Sequence, residues 1–203
     1  MTCALFDYGA GNLHSLAKAL EDAGSEVVQT GDWNEALALD ALVLPGVGAF
    51  GHAAACLPHD REPLRRALAG GLPCLGICLG MQLLFERSAE AMGSGIGLLR
   101  GEVRRLDGPV VPHMGWNDVA VGSDPLFDGI DDFVAYYANS YACEPTDSAT
   151  IIARSTYGAR PFAAGVRFAN TWGVQFHPEK SSEQGRRLVR NFVTLARDRG
   201  ASR

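Results

Sequence analysis

The fold is decided by the stretch Gly71-Leu72-Pro73-Cys74-Leu75-Gly76-Ile77-Cys78-Leu79-Gly80-Met81-Gln82-Leu83-Leu84. Pro73 to Ile77 is a short apolar run of the kind shown by a strand buried on both faces. Leu79 onwards reads as helix, expected to run to Arg87, so Cys78 falls where a strand turns sharply into a helix. Gly76 and Gly80 flank it and permit a tight turn and the close approach of neighbouring backbone. Gly-x-Cys-x-Gly is the thiol counterpart of the Gly-x-Ser-x-Gly nucleophile elbow, in which a strained turn lifts the nucleophile above a sheet. At a helix N-terminus the free N–H groups and the macrodipole favour a thiolate. The Leu79 N–H would face an oxyanion formed by attack at Cys78. Alone, the pattern fits a small buried cysteine in a glycine-rich turn equally well.

Upstream, Cys3 to Asp7 is a short β-type run that ends in the loop Tyr8-Gly9-Ala10-Gly11-Asn12. Leu13, Leu16, Ala17 and Leu20 then recur at helical spacing, and Gly24 supplies the stop. Gly9-x-Gly11 lacks the third glycine of a dinucleotide-binding fingerprint, because position 14 is His. Glu26 to Gln29 and Ala41 to Leu44 read as strands. The latter runs into Pro45-Gly46-Val47-Gly48-Ala49-Phe50-Gly51, a candidate second wall of an oxyanion hole with the Val47 or Gly48 N–H as donor. A plain strand-to-helix connection uses the same residue types. His52 to Cys56 and Glu62 to Ala69 read as helix pieces. The alternation of strand and helix predicts a parallel, doubly wound sheet whose ligand site lies at the carboxyl ends of the strands.

Downstream of Gly93 the texture changes. Glu102 to Leu106, Asp118 to Val121, Phe133 to Ala142, Thr150 to Ala153, Ala163 to Phe168 and Gly173 to Phe176 are short β-type runs between glycine, proline and aspartate clusters. They predict an antiparallel or mixed extension of the same sheet within a single domain, 1–203. A last helix carries the stripe Leu188, Val189, Phe192, Val193 and Ala196, with Ser181 and Gln184 as a capping-box pair at its start. Between these comes Val174-Gln175-Phe176-His177-Pro178-Glu179-Lys180. Residues two apart on an extended chain point the same way, so His177 and Glu179 can address one spot. A cysteine nucleophile needs a base, and the base needs a third group to orient it. Cys78, His177 and Glu179 supply all three, and their joint occurrence favours chemistry over a chance turn cysteine.

Bulk properties narrow the field. The chain has 203 residues, 47% of them hydrophobic and 20% charged, with a net charge of −5, so it shows no basic footprint for nucleic acid. No apolar run approaches the roughly 18 residues of a membrane span and no basic leader opens the sequence, which predicts a soluble cytoplasmic chain. Five cysteines without a Cys-x-x-Cys pair predict reduced thiols, and no His or Cys lies at zinc-site spacing from Cys74 and Cys78.

With these motifs in hand, the chain resembles the class I, triad-type glutamine amidotransferases. The resemblance is carried by Gly76 to Gln82, Pro45 to Gly48 and His177-Pro178-Glu179. It spans essentially the whole chain. Asp7 to Asn12, His113-Met114-Gly115-Trp116-Asn117 and Lys180-Ser181-Ser182 narrow it to glutaminase subunits that serve a cyclase making imidazole glycerol phosphate. The resemblance implies a flavodoxin-like α/β fold, with a central, mostly parallel sheet flanked by helices. It implies hydrolysis of L-glutamine through Cys78, His177 and Glu179, with an oxyanion hole from Val47, Gly48 and Leu79. Substrate contacts would come from Gly46, Gln82, Ser140 and Tyr141. Asn139 stands where many relatives have His, which leaves the main chain of that segment as its expected contribution. No cofactor or metal is implied. The implied partner is a separate (β/α)₈-barrel cyclase subunit that receives the ammonia, with Asn12, Met114, Trp116, Asn117 and Lys180 at the interface or along the ammonia path. Glutaminases of the pyridoxal phosphate synthase or anthranilate synthase type, a thiol peptidase, and a flavodoxin-like binding module are the competing readings.

Overall fold

Twelve strands and six α-helices make up residues 1–200, the part that the structure, a computed structural model, describes. The first half alternates: β1 (Thr2–Phe6), α1 (His14–Asp22), β2 (Glu26–Thr30), α2 (Trp33–Ala38), β3 (Ala41–Leu44), α3 (Phe50–Ala55), α4 (Glu62–Ala69), β4 (Cys74–Ile77) and α5 (Leu79–Leu83). The second half is mostly strand: β5 (Phe85–Ser88), β6 (Leu99–Arg105), β7 (His113–Val121), β8 (Phe133–Asn139), β9 (Tyr141–Pro145), β10 (Ile151–Tyr157), β11 (Arg160–Phe168) and β12 (Thr171–Val174), closed by α6 (Ser182–Gly200).

The main sheet has nine strands in the order β2-β1-β3-β4-β12-β11-β10-β7-β8. Its first five are parallel and the remaining pairings are antiparallel. This is the expected doubly wound sheet with its antiparallel extension. β3, β4 and β12 are buried at every residue. Helices cover both faces of the parallel part, so these strands read as unbroken apolar runs and not as alternating ones. One layer of core joins α1 and α6 to Leu5, Val43, Leu75, Ile77, Trp172 and Val174. The other joins α3 and α4 to Leu42, Leu44, Met81 and Phe85.

Three expectations need correction. The helix after Cys78 ends at Leu83, not at Arg87, and Phe85–Ser88 is a strand. The Gly95–Leu99 segment supplies the reason. Ile96 N–H donates to the Leu83 carbonyl at 2.6 Å, and Leu98 and Leu99 N–H donate to Leu84 at 2.9 and 3.0 Å, so acceptors of the last turn are taken from outside the helix. The β-rich half is also not all one sheet: β5, β6 and β9 form a separate three-stranded sheet. The run expected from Phe133 to Ala142 breaks at Ser140, with β8 in the large sheet and β9 in the small one. Third, Ser181 makes no ordinary capping box. Its hydroxyl accepts from Tyr136 N–H (3.0 Å) and donates to the His177 carbonyl (2.6 Å), and the next residue, Ser182, has φ +55°. Helix α2 is an addition that the apolar pattern does not announce; Asp32 caps it by accepting from Asn34 N–H at 2.8 Å.

The glycines flanking Cys78 are sterically required. A Cβ on Gly80 would lie 2.0 Å from the Leu44 carbonyl oxygen, and one on Gly76 would lie 2.7 Å from the backbone of Gly80 and Met81. Helix α5 packs backbone to backbone against both β4 and β3 because neither residue has a side chain. Gly80→Ala is expected to lower stability by about 3 kcal/mol or more, read as a fall in the denaturant midpoint; an unchanged midpoint would mean that α5 can shift away from β3 at no cost.

Candidate active site

The parallel strands deliver their carboxyl ends to one place. β4 ends at Ile77 and hands over to Cys78, β3 ends at Leu44 and hands over to Pro45 and Gly46, and β12 ends at Val174, three residues before His177. Cys78 has φ +47° and ψ −101°, a conformation rare for a residue with a side chain, and it caps α5 from outside the helix. Its N–H donates to the Val174 carbonyl at 2.7 Å, and its own carbonyl accepts from Gln82 N–H at 3.1 Å. The strained elbow read from Gly-x-Cys-x-Gly is therefore present, with the thiol 5% exposed.

His177 faces the thiol. The Cys78 sulfur is close enough to shift the His177 equilibrium, and His177 Nδ1 meets Glu179 Oε1 at 2.8 Å. Both members of that pair are largely buried. The His177 backbone is held by its N–H on the Tyr136 carbonyl at 2.9 Å and by the Ser181 hydroxyl on its carbonyl. Burial pushes the imidazole toward its neutral form. The hydrogen bonds and charges of Cys78 and Glu179 outweigh burial, and the pKa is raised from 6.5 to about 10. At neutral pH the ring is an imidazolium between a carboxylate and a sulfur.

In front of the sulfur lies a cavity of 200 Å³ lined by Gly46, Gly48, Cys78, Leu79, Gln82, Glu90 and Ala138 to Tyr141. Gly46 packs against both residues and leaves no room for a side chain: a Cβ there would lie 2.9 Å from both Cys78 Cβ and His177 Cε1. Gly48 has φ +97° and borders the cavity. The Val47 side chain does not line it; it packs on Gly11, where a Cβ would come within 2.5 Å of Val47 Cβ. Gln82 is buried, and its Nε2 donates to the Tyr141 carbonyl (3.2 Å) and to Gln175 Oε1 (3.4 Å). Asn139 Nδ2 donates to the same Tyr141 carbonyl at 2.9 Å, while its Oδ1 is buried without a partner. Leu106 N–H occupies the Ser140 carbonyl at 2.9 Å. Both carbonyls of Ser140 and Tyr141 thus already hold donors.

A second cavity, 180 Å³, lies behind the base and is lined by residues including Asn12, Pro45, Gly46, Val47, His177, Glu179 and Lys180. Beside it, Lys180 Nζ sits 5.7 Å over the Tyr136 ring, which meets Trp116 edge-on at 6.0 Å. Met114 and Trp116 are 64% and 54% exposed and alternate outward along β7. Asn117 does not join them. It lies on the opposite face of β7, where its amide donates to the Thr156 carbonyl at 3.0 Å and accepts from Asp118 N–H. His113, in the same block, is buried between the rings of Tyr137 and Tyr157.

Two residues at the site escaped sequence reading. Glu90 is the one carboxylate lining the 200 Å³ cavity, and it accepts from Phe50 N–H at the start of α3 at 3.3 Å. It stands in a loop with no pattern around it. Gln175 is fully buried beside the sulfur, and only its neighbourhood to His177 in sequence pointed there. Larger clefts of 530 and 470 Å³ open elsewhere, and neither brings a thiol together with a histidine. Among the described residues no group of three His, Cys, Asp or Glu is placed to hold a metal, and no helix is long and apolar enough to cross a membrane. All five cysteines are free thiols.

A positive-φ cysteine at a strand–helix elbow in an α/β sheet, beside a buried His–carboxylate pair, is an arrangement suited to thiol chemistry. Comparison with known proteins is narrower. Residues 4–196 match the family model described as glutamine amidotransferase class-I. The chain is 43% identical to the imidazole glycerol phosphate synthase subunit HisH of Natronomonas pharaonis, over 96% of this chain and 95% of that one. It is 45% identical to the protein of the same description from Methanothermobacter thermautotrophicus (96% and 98%) and 46% identical to that of Nocardia farcinica (94% and 96%). Solved structures share the fold at lower identity: a glutamine amidotransferase (TM-score 0.76, 20% identical, 96% and 98% covered) and PurLQS from Thermotoga maritima (0.72, 19%, 95% and 97%). The chain belongs to the class-I glutamine amidotransferase family, in the branch of the imidazole glycerol phosphate synthase subunit HisH.

The raised pKa of His177 has a sign. Because the folded value of about 10 exceeds 6.5, protonation of His177 stabilises the fold fully below pH 6.5, and that contribution fades as pH rises through 10. In Glu179→Gln the carboxylate's share is lost, so the His177 ring resonances should titrate at a lower pH than in the unmodified chain; an unmoved midpoint would show that Glu179 does not hold the imidazolium.

Proposed function

We propose that this chain is the glutaminase subunit of imidazole glycerol phosphate synthase, which frees ammonia from L-glutamine and passes it to a separate cyclase subunit in histidine biosynthesis. The observation that carries the reading is the Cys78–His177–Glu179 constellation, open to a cavity of substrate size, in a chain whose HisH relatives match it almost end to end.

The chemistry follows from the geometry. With the proton already on His177, Cys78 presents a thiolate to the γ-carboxamide carbon of glutamine. The oxyanion takes N–H donors from Leu79, at the free start of α5, and from the Val47–Gly48 segment. His177 gives its proton to the departing amine, ammonia leaves, and a γ-glutamyl thioester remains on Cys78. A water then attacks the thioester and returns a proton through His177, releasing glutamate. Glu90 is placed to hold the α-ammonium of glutamine at the far end of the cavity. The Ser140 carbonyl holds only the Leu106 N–H and keeps a second lone pair, so the main chain at Ser140 and Tyr141 contributes further contacts to the substrate.

Ammonia then leaves through the second cavity, past Asn12 and Lys180, and the exposed Met114–Trp116–Tyr136 patch is the docking face for a (β/α)₈-barrel cyclase. Aromatic side chains ringed by polar groups are what an interface anchor requires. Gly48, able to hold φ +97°, makes the Val47–Gly48 peptide the element that a docked partner can reorient.

The purified chain is expected to release little glutamate from glutamine alone and much more with the cyclase and its nucleotide ligand, and Cys78→Ala should abolish release. Turnover indifferent to the cyclase would keep the glutaminase and discard the partner. Trp116→Ala should weaken association with the cyclase by about 2 kcal/mol, roughly 30-fold in Kd; an unchanged Kd in a binding titration would place the interface elsewhere.

A further inference from the structure

Gln175 has no place in a nucleophile–base–orienter scheme, yet it is the most deeply buried polar side chain at the site, at 0% exposure. Its Nε2 lies 3.5 Å from Cys78 Sγ, within range of an N–H···S hydrogen bond. Its Oε1 accepts from Gln82 Nε2 at 3.4 Å, and Gln82 in turn donates to the Tyr141 carbonyl. That acceptor contact fixes the amide: with Oε1 turned to Gln82, only the NH₂ end can face the sulfur. The backbone is equally pinned, since Gln175 N–H donates to the Ala164 carbonyl at 2.9 Å and the preceding carbonyl, of Val174, receives Cys78 N–H. A buried amide whose donor end is spent on a thiol is a weak bargain; on a thiolate it makes a charge-assisted bond.

We propose that Gln175 holds Cys78 in its reactive state, its side-chain N–H stabilising the thiolate and fixing the sulfur between His177 and the substrate cavity. The sulfur then has a neutral donor beside the charged His177. His177 supplies charge and later gives up its proton, whereas Gln175 cannot lose a proton and keeps its bond through the catalytic cycle. The other titratable groups near the sulfur are Cys143, whose thiol burial keeps neutral, Tyr141 on the cavity wall, Glu179 behind His177, and Glu90 across the cavity. None of them makes a hydrogen bond to Cys78 Sγ, and Gln175 does. Because Gln82 joins Gln175 to the Tyr141 wall, the nucleophile and one side of the cavity are positioned by a single chain of amides.

The proposal rests on reading Cys78 as the nucleophile, and alkylation tests the two separately because it needs neither glutamine nor a partner. The rate of Cys78 modification by iodoacetamide is followed against pH, with the peptides resolved by mass spectrometry. The unmodified chain sets the reference midpoint. Gln175→Met, which keeps the volume, should raise the midpoint by about one unit, and Gln175→Glu, which keeps an acceptor for Gln82 but sets a carboxylate by the sulfur, by more. A purely packing role would lower thermal stability and leave the midpoint in place. A midpoint within about 0.2 unit of the unmodified chain in both variants would overturn the proposal. Alkylation of Cys78 in the unmodified chain no faster than that of the other four thiols would overturn it together with the nucleophile reading. A readout without substitution completes the test: the Gln175 side-chain amide resonances should shift with the Cys78 titration, and resonances that ignore it would count against the bond.

Discussion

The hydrogen bond from Cys78 N–H to the Val174 carbonyl, at 2.7 Å, is the contact on which the site depends. It extends the β4–β12 ladder, which pairs Ile77 with Val174, by one rung beyond the strands. With Cys78 held there, the chain leaving β12 must pass beside the sulfur, and Gln175 and His177 reach it from that side. The other side is closed by β3, against which Gly80 lies in backbone contact. A φ of +47° at a non-glycine residue costs on the order of 1–3 kcal/mol. The elbow persists because a strand ladder, a helix start and two glycine contacts all demand it at once.

Charge and neutrality divide the cavity. Behind the sulfur stands the charged pair His177–Glu179, and beneath it lies a neutral chain of amides from Gln175 through Gln82 to the Tyr141 carbonyl. A buried charge is tolerated when partnered, and a buried amide when its donors and acceptors are met. Two acceptors are not met: Asn139 Oδ1, beside the substrate cavity, and Glu179 Oε2, beside the second one. An unsatisfied buried acceptor costs about 1–3 kcal/mol. Both lie at the edges of spaces that a ligand or ammonia would occupy, where an incoming N–H removes that cost.

The parallel half of the fold was legible because its strands are short, fully apolar and separated by amphipathic helices. The meeting of Cys78 with His177 and Glu179 was legible because a glycine-flanked cysteine and a His-x-Glu pair have spacings with few other uses. What was not legible depended on contacts distant in sequence. Phe85 to Arg87 carries a helix-compatible pattern, but Gly95–Leu99 captures the carbonyls of α5 and turns those residues into a strand. Ser140 gives no sign that the chain changes sheets there. Asn117 reads as part of one block with Met114 and Trp116, yet the two-residue period of a strand sends it to the opposite face. Glu90 and Gln175 have ordinary neighbours in sequence, and only the cavity around them gives them meaning.

Strand β8 links features that would otherwise be separate. At one residue, Tyr136, its side chain belongs to the exposed aromatic patch with Trp116, while its carbonyl holds His177 N–H and its N–H is held by Ser181. Three residues further on, Asn139 lies on the wall of the substrate cavity, and past Ser140 the Tyr141 carbonyl anchors Gln82. The outer surface, the backbone of the base and the amide chain under the nucleophile are therefore consecutive along one stretch of chain of known register, Met114 opposite Ala138 and Trp116 opposite Tyr136. From the Trp116 face to His177 the connection runs through the paired strands β7 and β8 and one backbone hydrogen bond. The exposed patch and the buried base are two sides of the same peptide unit.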